Sequence, residues 1–175
     1  MERLAHYVIT AAGPGDAAEL ARVHVAAWRE SYAGLLPARY LAAMEPLRFE
    51  TRWRRQLTRA PMAEAILLAE GRDGAVGYCA GALVGTGLAE VSTLYLLRAA
   101  QGHGLGRRLL GGVARVLKAR GATSLRLWVL RGNDGAAGFY RRLGGVPGAH
   151  RPVRGWGDGH EEQAYAWADI ETLIR

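Results

Sequence analysis

The chain has 175 residues, half of them apolar and 22% charged, which suits one packed domain and excludes a disordered or fibrous protein. Lys and Arg number 23 against 16 Asp and Glu, a formal net charge of +7 that favours anionic partners: nucleic acid, an anionic membrane surface or a polyphosphate cofactor. Lys118 is the one lysine, and a composition heavy in Ala, Gly and Arg has a genomic origin as readily as a functional one.

Tyr7, Val8 and Ile9 form a short β-type run, and Gly13 to Asp16 supply a turn and an N-cap. From Ala17 to Tyr32, the residues Leu20, Val23, His24, Ala27 and Ser31 recur at three and four, with Trp28 at the edge of their face, so this stretch is a helix. Pro37 opens a second helix through Tyr40, Leu41 and Met44, and an Arg-rich helical piece runs from Leu47 to Leu57. Beyond Pro61 the signal changes. Ala65 to Glu70 and Ala75 to Val84 are apolar runs joined by Gly71, Arg72, Asp73 and Gly74, the pattern of a hairpin, and a third run covers Ala89 to Leu97. A glycine loop follows, then a helix over Leu105 to Arg120, a strand over Ser124 to Leu130, and a helix over Asp134 to Leu143. Two weaker strands lie near Val146 to Val153 and Glu162 to Ala168. Strands joined by tight turns, alternating later with helices, imply a mixed α/β sheet. No repeat or linker divides the chain, so residues 1–175 read as a single domain.

Cys79 has no cysteine to pair with, Met1 to Thr10 lacks the apolar run of a signal peptide, and no window reaches the length of a membrane span. The expected setting is the cytoplasm. Cys79 lies in the apolar stretch Ala75 to Val84, which suits a buried structural thiol rather than a nucleophile.

The chemistry concentrates between Glu90 and Arg120. A strand ends at Leu97, a loop reads Gln101, Gly102, His103, Gly104, Leu105, Gly106, and a helix begins at once. On that helix Leu105, Leu109, Leu110, Val113, Val116 and Leu117 fall within an arc of roughly 140°, opposite Arg107, Arg108, Arg115 and Lys118. A helix start carries unpaired N–H groups and the positive end of the dipole, and preceding glycines let a bulky anion come close to the main chain. Arg107 and Arg108 in the first turn oppose the dipole unless an anion is bound. Solvated arginines on a glycine-rich turn are the alternative. A nucleotide-triphosphate loop would need Gly-Lys-Ser or Gly-Lys-Thr where Gly106 is followed by Arg107 and Arg108. The spacing of Gly102, Gly104 and Gly106 also misses the dinucleotide fingerprint, and no acid follows at the next strand's end.

Gln101, Gly104 and Gly106 match a pattern of Gln or Arg, two residues, Gly, one residue, then Gly or Ala. Leu94-Tyr95-Leu96-Leu97 precedes it; Leu127-Trp128-Val129, Asn133 and the run Gly138-Phe139-Tyr140-Arg141-Arg142-Leu143-Gly144 follow it. In this order the segment resembles the cofactor-binding core of the GNAT superfamily of N-acetyltransferases. His24 to Arg29 and Leu35-Leu36-Pro37 are also similar to stretches in that superfamily. Arg98, where many members carry proline, and Gly145, where an aromatic usually follows Leu-Gly, depart from the pattern.

The resemblance implies an α/β (α+β) fold: a mixed, mostly antiparallel sheet of six to seven strands flanked by helices on both faces, with strands 4 and 5 splayed. It implies acetyl-CoA as co-substrate, without a metal, its pantetheine arm pairing with main chain at Leu94, Tyr95 and Leu96. The loop Gln101, Gly102, His103, Gly104, Leu105 and Gly106, with Arg107, would hold the pyrophosphate, and Asn133 the pantetheine. Tyr140 would protonate the departing thiolate, a main-chain N–H near Leu96 would polarise the carbonyl, and Glu90 would take the amine's proton, often through water. An ion pair with an arginine is the competing role for Glu90, and packing beside Phe139 that for Tyr140. His103 holds a variable loop position that suits solvent.

Trp28 and Tyr32 are the candidate substrate-binding residues, and core packing is their alternative role. Gly155 to Gly159, with Asp158, Glu161 or Glu162, would cover the acceptor or form a hairpin tip. A homodimer fits the family, although no sequence stripe marks one. Two rivals remain: a non-catalytic coenzyme A sensor, and a basic nucleic-acid module, against which the scattered arginines lack an interleaved aromatic platform. Neither nucleic acid nor membrane is the expected partner.

Overall fold

A computed structural model describes residues 7–59, 64–153 and 159–175. After β1 (Val8–Ala11), helices α1 (Ala17–Ser31), α2 (Ala38–Ala42) and α3 (Pro46–Arg59) follow in sequence. Three strands come next, β2 (Glu64–Gly71), β3 (Gly74–Gly85) and β4 (Leu88–Leu96). Then come α4 (Leu105–Ala119), β5 (Ser124–Leu130), α5 (Asp134–Arg142), β6 (Val146–Pro152) and β7 (Glu161–Trp167).

The strands form one sheet in the order β1-β2-β3-β4-β5-β7-β6. Neighbours are antiparallel except β4 and β5, which run parallel. Period-2 alternation divides the central strands between two cores. Ala65, Ala69 and Cys79 join the α4 side, while Ile66, Leu68, Tyr78 and Ala80 join the α1 and α3 side. The apolar arc of α4 drives its docking: Leu109, Leu110, Val113 and Leu117 are fully buried, each contributing about 1.5–3 kcal/mol. Cys79 is buried and its thiol is pushed up by desolvation, as an inert structural cysteine requires.

The feature that positions the site is where β4 and β5 part. Their pairing runs from Leu88 with Ser124 to Val91 with Leu127 and stops. β4 continues to Leu96 and β5 to Leu130. The β3–β4 register shifts here: Ala80 faces Thr93 and Gly81 faces Val91, leaving Ser92 as an extra residue. Such a bulge bends a strand and increases its twist, so β4 turns away from β5 one residue after their last rung. Beyond it, both strands carry an edge without β-ladder partners.

Candidate active site

The gap between β4 and β5 opens into a cavity of about 650 Å³. Leu94, Tyr95 and Leu96 form one wall, and Trp128 and Leu130 from β5 the opposite one. Gln101, Gly102, Gly104, Leu105 and Gly106 close the end at the start of α4; Asn133, Phe139 and Tyr140 close the α5 side, and Tyr32 reaches in from α1.

The loop geometry follows from its glycines. Gly102 and Gly104 have φ of 81° and 72°, a region that side chains rarely enter. Gly104 caps α4 in that conformation, leaving the first-turn N–H groups without carbonyls one turn back. Gly106 serves a different purpose: a Cβ there would stand 3.1 Å from Phe139 Cζ, so its absence lets α5 pack onto the first turn of α4. Gln101 Nε2 donates to the Leu96 carbonyl at 3.1 Å, and the Arg98 N–H donates to Glu30 Oε2 at 2.6 Å. The residue that departs from proline thus provides an N–H that proline lacks, and α1 uses it to hold the loop's entry.

Tyr140 is buried on α5 against Phe139, Tyr165 and Trp167. Burial, with smaller contributions from Cys79 and Tyr32, pushes its phenol well above the ordinary range, so it remains a protonated donor at neutral pH. Asn133 caps α5, its side-chain oxygen accepting from Ala136 N at 3.2 Å; its amide NH₂ remains as a donor. Tyr95 stands within aromatic contact of His24, Trp28, Tyr32 and Tyr78, and its hydroxyl lies 3.4 Å from that of Tyr32. Trp28 is buried and packs edge-on to Tyr32, with ring centroids 4.9 Å apart, supporting the wall from behind.

Four sequence-predicted residues are not part of the cavity lining: Trp28, which packs behind Tyr32, and Glu90, Arg107 and His103. Glu90 Oε2 accepts from Arg126 Nε at 2.6 Å and from Trp128 Nε1 at 3.3 Å. Arg107 donates to the main-chain oxygen of Arg175 at 3.0 Å, and His103 is exposed and packs edge-on to Tyr7. Of the proposed covering loop, residues 155–158 lie outside the described residues. Glu161 pairs with Arg131, and Glu162 with Arg151, whose guanidinium lies 3.8 Å from the Trp128 ring centroid.

Sequence reading missed Glu30, Gly135, Ala136 and Arg142 as cavity residues. On α5 a signal was present: positions 135, 136, 139 and 142 recur at helical spacing, and all four line the cavity. His24 was also missed as a buried polar group. Its Nδ1 lies 2.6 Å from the Tyr78 hydroxyl, and desolvation, with Arg52 adding to it, lowers its pKa to about 4.

A sequence profile described as the acetyltransferase (GNAT) family matches residues 24–145, the span from α1 to the end of α5 and so the whole of the cavity's frame. The chain belongs to this family. A GNAT acetyltransferase of this kind is an N-acetyltransferase. It is similar to YuaI, an uncharacterised N-acetyltransferase of Bacillus subtilis, at 27% identity, covering 90% of this chain and 91% of the relative. A probable N-acetyltransferase of Mycobacterium tuberculosis is 28% identical, covering 77% of this chain and 76% of that protein. Among solved structures, the fold is similar to the PaiA N-acetyltransferase of Thermoplasma acidophilum in complex with coenzyme A. That match has a TM-score of 0.77 and 19% identity, over 93% of this chain and 99% of that one. YncA of Salmonella typhimurium, with its cofactor acetyl-CoA, has a TM-score of 0.69 and 19% identity, over 94% of both chains. Among the described residues no helix of this GNAT acetyltransferase is long and apolar enough to cross a membrane.

Proposed function

We propose that this chain transfers the acetyl group of acetyl-CoA directly to a primary amine within a ternary complex. The observation that carries the reading is the opening of β4 from β5 beside the first turn of α4, whose N–H groups receive no side-chain cap from Gly104, in one continuous cavity. The donor set fits the co-substrate. Main-chain N–H groups at Gly102 to Arg107 suit a diphosphate, the loose edge of β4 at Leu94 to Leu96 suits the pantetheine amides, and the Asn133 amide stands on the opposite wall. The related structures that hold coenzyme A and acetyl-CoA support the same choice.

Acetyl-CoA supplies the thioester acyl group and a thiolate leaving group. Tyr140 holds a proton at its phenolic oxygen inside the cavity, and burial keeps it there until a stronger base develops nearby. A main-chain N–H near Leu96 is the donor toward the acyl oxygen. Glu90, with Arg126 beside it, is the carboxylate that takes the amine's proton, by way of water. Tyr32, with Trp28 behind it, forms the acceptor's side of the cavity.

Isothermal calorimetry with coenzyme A, followed by thiol release from acetyl-CoA across a panel of amines, tests the proposal. Micromolar uptake and amine-dependent thiol release are expected. Uptake with no release on any amine would favour a coenzyme A sensor, and no uptake would overturn both readings.

A further inference from the structure

Strand alternation sends Leu127 and Val129 of β5 to the α4 side of the sheet, and Trp128 and Leu130 to the face shared with α1, where Leu130 packs with Trp28 and Tyr32. Ladder register continues that face across the next two strands, because directly opposed residues share a face. Leu130 is opposite Glu162 of β7, and Glu162 is opposite Arg151 of β6. Val153, two residues further along, packs against the cluster that holds Tyr32. Burial raises the Tyr32 pKa and the Glu162 charge adds to it, so the two groups sense each other across the opening. Arg151 and Glu162 therefore stand at the acceptor's side of the cavity.

Arg151 is fixed from two directions. Its Nε donates to Glu162 Oε1 at 2.5 Å, and its guanidinium lies 3.8 Å from the Trp128 ring centroid. Among the described residues only Nε is engaged, which leaves the Nη fork exposed and held in one plane. The neighbouring carboxylates keep no such reserve: Glu162 is taken by Arg151, Glu90 by Arg126 and Trp128 Nε1, and Glu161 by Arg131. An opening whose acids are matched and whose guanidinium fork is preorganised offers little to a second ammonium group and much to a carboxylate. Trp128 also sets the span. Its Nε1 meets Glu90 and its face meets Arg151, so the proton-accepting carboxylate and the fork stand one indole apart, joined by a ring that lines the cavity.

We propose that the acceptor is a small amine that carries a carboxylate, as an α-amino acid does, and that Arg151 selects it by binding that carboxylate through its Nη fork. The inference rests on the acetyl-transfer reading above. The α-amine forms the new C–N bond while the thioester C–S bond breaks; one proton leaves the amine for Glu90 through water, and one reaches the thiolate from Tyr140.

Thiol release from acetyl-CoA tests it, measured with the standard L-α-amino acids, their carboxamides and their decarboxylated amines, on the wild type, Arg151→Gln and Arg151→Lys. The wild type should acetylate at least one acid with a kcat/KM about tenfold above its carboxamide and its amine, the scale of one charge-assisted contact. In Arg151→Gln the KM for that acid should rise until the advantage over the carboxamide is gone. Arg151→Lys, which keeps the charge without the planar fork, should fall between the two. Thermal melting should be unchanged, because the side chain is exposed on an edge strand. A merely structural role in holding Trp128 would slow acid, carboxamide and amine alike, and that result overturns the carboxylate assignment. Release with amines and with no acid overturns it too, while acetyl transfer stands. No release from any member, although coenzyme A binds, removes the transfer reading and this inference together.

Discussion

Glu90 and Arg126 meet at 2.6 Å on adjacent parallel strands, one rung before the last at which β4 and β5 pair. Their alpha carbons are register partners, so the ion pair spans the two strands close to where they separate. Both side chains are partly exposed, which limits the pair to about 1 kcal/mol or less. Its importance is positional: it holds a carboxylate beside the mouth of the gap and, through Trp128 Nε1, orients an indole that lines the cavity.

Glu90→Gln tests the proton-accepting role without emptying the position, since the amide oxygen still accepts from Arg126 and Trp128. Amine-dependent thiol release should fall about 10²-fold, with coenzyme A affinity unchanged by calorimetry. An unchanged rate across pH would reduce Glu90 to a partner of Arg126.

Tyr140→Phe keeps the ring that packs among Phe139, Tyr165 and Trp167 and removes only the hydroxyl. The turnover rate should drop by about 10²-fold or more, while co-substrate binding and the melting temperature hold. Because burial raises the Tyr140 pKa, the wild-type rate should show no alkaline limb from this phenol below about pH 10. A variant with full activity would assign Tyr140 to packing alone.

Gly77 lies under the part of β4 that lines the cavity. A Cβ there would collide with Leu96 Cδ2 and stand 2.7 Å from the Tyr95 carbonyl oxygen. The second contact is main chain and cannot swing aside. Gly77→Ala should cost about 1–3 kcal/mol in denaturant unfolding and weaken coenzyme A binding by displacing the β4 edge. A stability within about 0.5 kcal/mol of the wild type, on the scale of an inert surface change, would mean that β4 yields without cost.

His24 makes stability depend on pH in a defined window. Its folded pKa is lowered to about 4 by burial first and the Arg52 charge second, against about 6.5 when unfolded. Between these values the unfolded chain binds the extra proton, so the stabilisation is complete above about pH 6.5 and is lost as pH falls toward 4. A shift of that size corresponds to about 3 kcal/mol. Denaturant midpoints at pH 7 and pH 4.5 should differ more in the wild type than in His24→Gln. Equal pH slopes in the two proteins would remove His24 as the cause.

Local signals carried much of the fold. The β5 run Ser124 to Leu130 coincides with its strand at both ends, and the apolar arc of α4 begins at Leu105 in both readings. Each is settled by periodicity and by glycine beside it, which act over a few residues. The loop glycines were legible for the same reason, since a left-handed backbone at Gly102 and Gly104 is a property of single residues.

Sequence alone determined the alternation of strands and helices, the amphipathic faces, and a glycine loop placed to open an anion-receptive helix. Tertiary structure decided which partners the arginines around that loop meet. Arg107 finds its partner 68 residues away, the Arg98–Glu30 contact spans the same distance, and Arg126 reaches back 36 residues to Glu90. It also placed β7 between β5 and β6, and gave Arg142 a cavity wall with no carboxylate paired to it among the described residues. Pairings across such separations depend on strand register and helix docking, which bring side chains together through contacts that no local period encodes.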